Sequence, residues 1–527
     1  MAAATRSVTL DGLAGRPIEV EVDVSSGLPA TIMVGLADTT VNEARDRVRS
    51  AVVNSGTTWP DQRVTINLAP SSLPKTGSHY DLAIAVAVFA AKRLVPTDGL
   101  ARVMFLGELA LDGRLRAIRG VLPATLAAAE AGIDRVFVPE VNVDEAELVP
   151  GIQVVGVRSL RQTIALLTGE EEPDDPPVPP LEFRDEINWT SSARVDGLDL
   201  ADVAGQEDAK LSALIAATGG HHLLMVGPPG IGKTMVAQRL PGLLPDLDHA
   251  ASIETTAVHS VAGVLPSDEP LLVRPPFLDP HHSASAVSIV GGGSRGIRPG
   301  ALSLAHHGVL FLDEAPEFAV NVLEALRQPL ESGVVVVSRA AQTAAFPARF
   351  QLVLAANPCP CGHNGSLGER CECTPLMRRR YADKISGPIR DRIDIQRQLT
   401  APSRQSLAEG LASVGPSTAD LRALVVRARA AQTERYADTP WTLNAQVPGT
   451  EIRKRWPLDA AGRSLLEGQV RTAKLSARAA DRISRLAWSV ADLCDRPVPT
   501  RDDVETALAL RRGTAVGGDL RSLWAAA

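Results

Sequence analysis

The stretch Gly227-Pro-Pro-Gly-Ile-Gly-Lys-Thr234 constrains this chain more than any other. It fits G-x-x-x-x-G-K-[ST], with the apolar run Leu223-Leu-Met-Val226 ahead of it and Met235-Val-Ala-Gln-Arg-Leu240 behind. A buried strand must therefore turn through a glycine-rich loop into a helix, the repeating unit of a layered α/β core. The loop comprises Gly227, Pro228, Pro229, Gly230, Ile231 and Gly232. Its backbone N–H groups are suited to wrapping phosphates, and the helix N-terminus adds partial positive charge. Lys233 is placed to reach the β- and γ-phosphates of ATP, and the Thr234 hydroxyl to bind Mg²⁺. A glycine-rich turn that matches by chance is the plainer reading; strand and helix in register on either side argue against it.

At 527 residues the chain exceeds one hydrophobic core, and about three or four domains are expected. The net charge of −7 gives no global field for nucleic acid, so any DNA contact must come from a local basic surface. The first residues, Met1-Ala-Ala-Ala-Thr-Arg6, lack the apolar segment of an export signal. The longest apolar run, Leu82 to Ala91, is about half of a membrane span and reads as a buried helix. Five cysteines without an export signal point to a reducing cytoplasm, and to metal or packing roles over disulfides.

Residues 1–168 form the first expected unit. Ile18 to Val24 alternates as a strand, Thr39 to Asn54 as an amphipathic helix, and Arg63 to Leu68 as a second strand. Asp112-Gly113 between Phe105–Leu111 and Arg114–Ile118 signals a hairpin, followed by a helix from 122 to 132 and a strand from 135 to 139. Asn67-Leu-Ala-Pro70, Pro74-Lys-Thr-Gly-Ser78, Gly107-Glu-Leu, Gly113-Arg-Leu and Ala128-Ala-Glu-Ala-Gly132-Ile resemble the C-terminal domain of Lon proteases. That family cuts peptides with a Ser–Lys dyad. By the resemblance, Ser78 or His79 occupies the nucleophile's place, whereas Leu122 and Ala124 stand where lysine is expected. Neither accepts a proton, so the unit is expected to keep the fold without the proteolysis, serving assembly or partner binding, with Ser78 and His79 as loop or helix-cap residues.

Residues 169–190 are acidic and proline-rich, from Glu170-Glu-Glu-Pro to Val178-Pro-Pro180, and read as a linker unable to order itself. The unit 191–398 carries the phosphate loop. About 80 residues beyond it, Gly308-Val-Leu-Phe-Leu-Asp313-Glu314 is a buried strand ending in two carboxylates. Asp313 would hold Mg²⁺ and Glu314 would polarise the attacking water. Gln351 to Ala356 is another apolar strand, ending at Asn357. Four cysteines, Cys359, Cys361, Cys371 and Cys373, cluster in the next loop, and read either as thiolate ligands of a structural Zn²⁺ or as a cysteine-rich surface loop. Cys494 reads as core. Residues 399–527 are helical by pattern: 421–435, 459–470, 475–488 and 502–511 have apolar residues at three-to-four spacing.

These motifs resemble AAA+ ATPases of the magnesium-chelatase-like branch. Pro280-His-His-Ser283, Gly291-Gly-Gly, Arg298-Pro-Gly300, Ser303-Leu-Ala-His306 and Leu326-Arg-Gln-Pro-Leu-Glu331 carry the likeness. With the Lon-like unit in front, almost the whole chain resembles the ComM (YifB) family. The resemblance implies a multidomain α/β fold: a degenerate Lon-protease-like α+β unit, an AAA+ P-loop core and a helical lid. It implies that Gln206, in Val203-Ala-Gly-Gln206, flanks adenine; that Asn357 is sensor 1; and that Arg392, with Arg390 as competitor, is an arginine finger acting in trans. Arg478, in Leu475-Ser-Ala-Arg478, would be sensor 2. It further implies a homo-oligomeric ring, a hexamer, that hydrolyses ATP to drive branch migration of DNA. An insert at about Ala257 to Pro280 and a hairpin over Gly333–Phe346 belong to this branch, and Arg339 near the hairpin tip is either a DNA phosphate contact or an ordinary surface arginine. A subunit inserting Mg²⁺ into a tetrapyrrole and an ATP-dependent protease are the rival functions.

Overall fold

The structure, a computed structural model, describes residues 2–35, 39–73, 75, 77–181, 195–266, 268–293, 296–339, 342–364, 371–401 and 415–516. Its first part is built on a seven-stranded mixed sheet. In spatial order the strands are Ala30–Val34, Arg63–Ala69, Ala14–Ser25, Ala2–Asp11, Val103–Phe105, Arg135–Pro139 and Gln153–Val157. The period-two pattern sets its faces: Ile18, Val20 and Val22 are buried while Glu19 and Glu21 between them are exposed. The helix Asp81–Ala91 is apolar all round because it is buried all round. Its one charge, Asp81, takes two hydrogen bonds from Arg47 at 2.9 and 3.1 Å and one from the Leu109 N–H at 3.2 Å.

Several expectations are corrected here. Phe105 ends a strand of the large sheet, so the hairpin around Asp112-Gly113 shrinks to Glu108–Leu109 and Leu115–Arg116. Of the loop and helix-cap alternatives for Ser78 the loop holds: its hydroxyl donates to the Glu108 carboxylate, and the helix N-cap is Tyr80 with no side-chain cap. Lys75, the lysine nearest in sequence, is buried and donates to the Pro70 carbonyl. His79, half-buried in the turn ahead of that helix, donates from Nε2 to the Val8 carbonyl at 2.7 Å, which requires its proton on that nitrogen. The acidic linker is ordered over its described part, because the first unit supplies the partners it lacks. Asp175 accepts from Ser159 and Arg161, and Val178 is buried in the core under the sheet. Residues 182–190 of that linker lie outside the described residues. The helix His249–Ala262 runs unbroken through the start of the insert expected at about Ala257 to Pro280 and ends at a left-handed Gly263.

The second part holds a five-stranded, all-parallel sheet, ordered Phe277–Leu278, Val309–Leu312, Gln351–Ala356, Leu223–Val226 and Ile395–Gln398. Every side chain of Val309–Leu312 and Gln351–Ala356 is buried, as strands covered on both faces must be. The hairpin Val334–Arg339 with Gln342–Pro347 buries Val335, Val337, Ala344 and Phe346 on one face, and Arg339 pairs with Gln342 at its end. The C-terminal part is helical: Thr418–Arg435, Gly449–Arg455, Ala460–Arg471, Ala477–Leu493 and Arg501–Arg512. Ser417 opens its first helix with a capping box to Asp420. Cys494 packs against the core formed by these helices and the sheet.

The first unit is fastened to the parallel-sheet unit by the helix Val121–Glu130. Leu122 is buried with Val149 and Ala257, and Ala124 with Val8 and Met104, so both positions that a dyad lysine would take are apolar packing. Glu145 accepts from the Leu122 N–H at 2.8 Å and from the Ser260 hydroxyl, tying the two units by a buried carboxylate. Gly12, at φ +65°, lies where an added Cβ would meet the Ala345 carbonyl at 2.6 Å, so the first sheet's turn rests on the hairpin backbone. Among the described residues no helix is long and apolar enough to cross a membrane.

Burial pushes His79 down to about 4 from an ordinary 6.5, and His222 and His259 likewise to about 4. A depressed histidine binds its proton more readily in the unfolded chain, so its stability is fully present above about pH 6.5 and lost as pH falls towards 4. Each contributes a loss of about 3 kcal/mol over that window. Urea midpoints measured across it should fall steeply, and His79→Gln, which keeps a donor for Val8, should flatten the fall.

Candidate nucleotide site

A parallel sheet delivers the carboxyl ends of its strands to one edge, and three of those ends carry the motifs. Val226 pairs with Ala356, and Leu312 with Leu354, so the phosphate loop, Asn357 and Asp313 emerge side by side. The loop's shape explains its glycines. At Gly227 a Cβ would meet the Cβ and carbonyl of Leu399 at 2.9 Å. Gly230 and Gly232 have φ of +74° and +98°, and a Cβ on either would meet nothing within 4 Å, so an open cradle faces outward there. The helix Lys233–Leu243 starts at its end.

Lys233 is buried and its ammonium uses all three protons. It donates to the carbonyls of Gly227 at 2.6 Å and Pro228 at 2.8 Å, and to Oδ1 of Asn357 at 3.0 Å. Burial lowers its pKa, against the opposing pull of Asp313 and Glu314. A triphosphate in the cradle would compete for these protons with oxygens of higher charge. The Thr234 hydroxyl donates to Asp313 at 2.7 Å, bringing together the two side chains expected to hold Mg²⁺. Glu314 has a left-handed backbone, φ +49°, which turns its carboxylate away from the strand, and its Oε2 lies 3.5 Å from Nδ1 of His282. The cradle, the Thr234–Asp313 pair and the Glu314 carboxylate beside His282 fit ATP with Mg²⁺. Gln206 stands at the N-cap position of the helix Glu207–Gly219 without capping it, and its side-chain amide donates to the Thr400 carbonyl at 2.9 Å. Since Leu399 abuts Gly227, that places Gln206 at the same edge of the sheet.

The remaining candidates are elsewhere. Arg392 precedes the strand Ile395–Gln398, whose first residue pairs with Leu223, whereas the phosphate loop follows Val226. At about 3.3 Å per residue, a strand length of about 10 Å separates the two ends. Arg392 pairs with Glu331 and donates to the Pro388 carbonyl at 2.6 Å. Burial, followed by the charges of Arg482, Arg327 and Arg478, lowers its pKa. Arg478 therefore belongs to this second group, exposed on the first turn of the helix Ala477–Leu493. Arg390, the competing candidate, is bound to the Ala382 carbonyl.

No local pattern assigns a role to His282 or Glu331; both lie in stretches that carry only the family resemblance, and only folding shows their partners. The four cysteines converge as expected, their sulfurs all within 4.8 Å of one another. Arg339 stands at the end of the hairpin, paired with Gln342.

Comparison with known proteins gives the family. The family described as magnesium chelatase, subunit ChlI, matches residues 199–407, that of subunit ChlI of Mg-chelatase residues 20–142, and the ChlI C-terminal family residues 415–511. An uncharacterized protein of Mycobacterium tuberculosis strain H37Rv is 46% identical over 96% of this chain and 98% of its own. The uncharacterized protein YifB of Escherichia coli K12 is 41% identical over 95% of each chain, and the competence protein ComM of Haemophilus influenzae 40% over 90% and 91%. Lon protease 2 of Bacillus subtilis matches 25% of the chain at 29% identity, in keeping with a Lon-like N-terminal part. With AAA+ units of the magnesium-chelatase type and full-length likeness to both named relatives, the chain belongs to the ComM/YifB family.

Proposed function

We propose that the protein is an ATP-hydrolysing ring motor, with six copies per ring, that moves DNA and acts in branch migration of recombination intermediates. The observation that carries the ATPase reading is the joint geometry of Lys233, Asn357, Thr234 and Asp313 at one sheet edge. In this reading Lys233 and Asn357 hold the γ-phosphate, Asp313 and Thr234 hold Mg²⁺, and Glu314 draws a proton from water. His282 beside Glu314 orients its carboxylate. Arg392 lies toward the other end of the sheet from its own chain's phosphate loop, with Arg478 close enough to affect its charge, which favours their action on a neighbour's nucleotide. A ring of head-to-tail contacts supplies that neighbour.

The DNA load rests on the hairpin that ends at Arg339 and on kinship to a competence protein, whose name fits the uptake of transforming DNA. Metal insertion into a tetrapyrrole is the rival suggested by the chelatase families. Proteolysis is disfavoured by Leu122 and Ala124 in packed positions.

Lys233→Ala should abolish turnover. Arg392→Ala should lower kcat by about a thousand-fold while leaving nucleotide affinity nearly unchanged. Each variant fails alone, yet mixing them should restore activity, because roughly a quarter of randomly assembled interfaces then pair an intact loop with an intact finger. A mixture as inactive as its parts would rule out Arg392 as a residue acting in trans.

Four-way DNA should raise the ATPase rate. Arg339→Ala should weaken that binding and reduce the slope of log affinity against log salt by about 1. Stimulation by a porphyrin and Mg²⁺ but not by DNA would favour the rival.

A further inference from the structure

The loop between Asn357 and the helix Pro375–Asp383 has no part in the chemistry above, yet it starts two residues from sensor 1. The sulfurs of Cys359 and Cys361 lie 3.4 Å apart, Cys361 and Cys371 3.6 Å, and Cys359 and Cys371 3.7 Å, with Cys373 inside the same 4.8 Å cluster. All four are free thiols, and Cys359 and Cys373 are buried. Four sulfurs at the corners of a tetrahedron around one zinc ion, with bonds of about 2.3 Å, lie about 3.8 Å from each other. The observed separations nearly match that figure. An iron–sulfur cluster would spread its thiolates over several metal atoms and hold them farther apart than this group. Sulfur on all four sides also selects a soft or borderline ion over Mg²⁺ or Ca²⁺.

The loop touches the nucleotide site. A Cβ on Gly362 would meet Cδ of Pro229 at 2.9 Å, so the residue that follows Cys361 lies against the phosphate loop. On its far side, Arg378 donates to the Cys373 carbonyl at 3.1 Å, and the Thr374 hydroxyl caps the helix Pro375–Asp383. That helix leads through Ile385 to Arg392.

We infer that Cys359, Cys361, Cys371 and Cys373 bind one Zn²⁺ as four thiolates, and that this knot braces Asn357 and Pro229, fixing the sensor against the phosphate loop. The metal site stands independently of the ATPase reading; the purpose of the brace rests on it. Binding releases the thiol protons to solvent as Zn²⁺ takes the four sulfur ligands, with no change of oxidation state.

The full chain, purified under reducing conditions without chelator, should carry one zinc per chain by elemental analysis. Cobalt replacing it should show the ligand-field and sulfur charge-transfer bands of a tetrahedral tetrathiolate. A mercurial should release that zinc as four thiols are blocked, a readout on the native chain that needs no variant to fold. Cys359→Ser with Cys373→Ser should lose the metal. Hydrogen exchange at residues 227–232 and 357–362 should speed up by about tenfold on zinc removal, corresponding to about 1.4 kcal/mol of lost protection, and recover on its return. A chain with no zinc, with iron in its place, or with zinc retained by the double variant would overturn the site. Unchanged exchange after stripping would overturn the brace. Protein that binds zinc and shows the protection but hydrolyses no ATP would support this inference while removing the ATPase reading.

Discussion

One buried carboxylate, Asp394, holds the helical C-terminal part to the parallel sheet. It lies just ahead of the strand Ile395–Gln398 and takes the Arg482 guanidinium at 2.8 Å and the His221 ring at 3.2 Å. His221 passes the chain of bonds to Ser489 at 2.7 Å, on the same helix as Arg482. Burial alone would raise the pKa of Asp394, but His221, Arg482 and Arg485 hold it well below the usual range. A buried charge with this many partners is expensive to disturb, because losing any one leaves the others uncompensated. Arg482 also donates to the carbonyl of Arg392 at 2.9 Å, so the same network fixes the backbone of the trans-acting candidate. The position of Arg392 is set by residues from three separate stretches of the chain.

The opposite end of the sheet depends on order of strands instead of charge. Placing Gln351–Ala356 between Leu223–Val226 and Val309–Leu312 is what lets Asn357 stand between Lys233 and Asp313. A different strand order would leave each motif intact in sequence and useless in space. The His306 and His307 rings on Glu254, at 3.1 and 3.0 Å, hold the helix His249–Ala262 at the amino end of the strand Val309–Leu312. That helix is also the one that receives the first unit through Ser260 and Ala257.

Much of this was legible in the chain because the relevant constraint is local. A phosphate loop needs glycines at fixed steps; Gly227, Gly230 and Gly232 reveal it without any knowledge of the fold. Asp313 and Asn357 follow short apolar runs, Val309–Leu312 and the stretch from Leu352 to Ala356, whose length suits buried strands. The Cys359–Cys373 convergence was visible as spacing within one loop. The misread parts depend on partners distant in sequence. Ser78 faces Glu108 across a fold that no local pattern dictates. Asp175 looked like linker charge until Ser159 and Arg161 came beside it. The Glu331–Arg392 pair and the His282–Glu314 approach are likewise products of topology.

The contact at Gly12 carries an evolutionary consequence. With no side chain there, the turn of the first unit lies on the backbone of the hairpin at Ala345, and even a methyl group would collide with it. Residue 12 and the path of the hairpin therefore cannot drift separately: a lineage that reshapes the hairpin for a new load must reshape the front unit with it. That shared backbone gives selection a reason to retain a protease-like fold whose positions 122 and 124 are filled by Leu122 and Ala124.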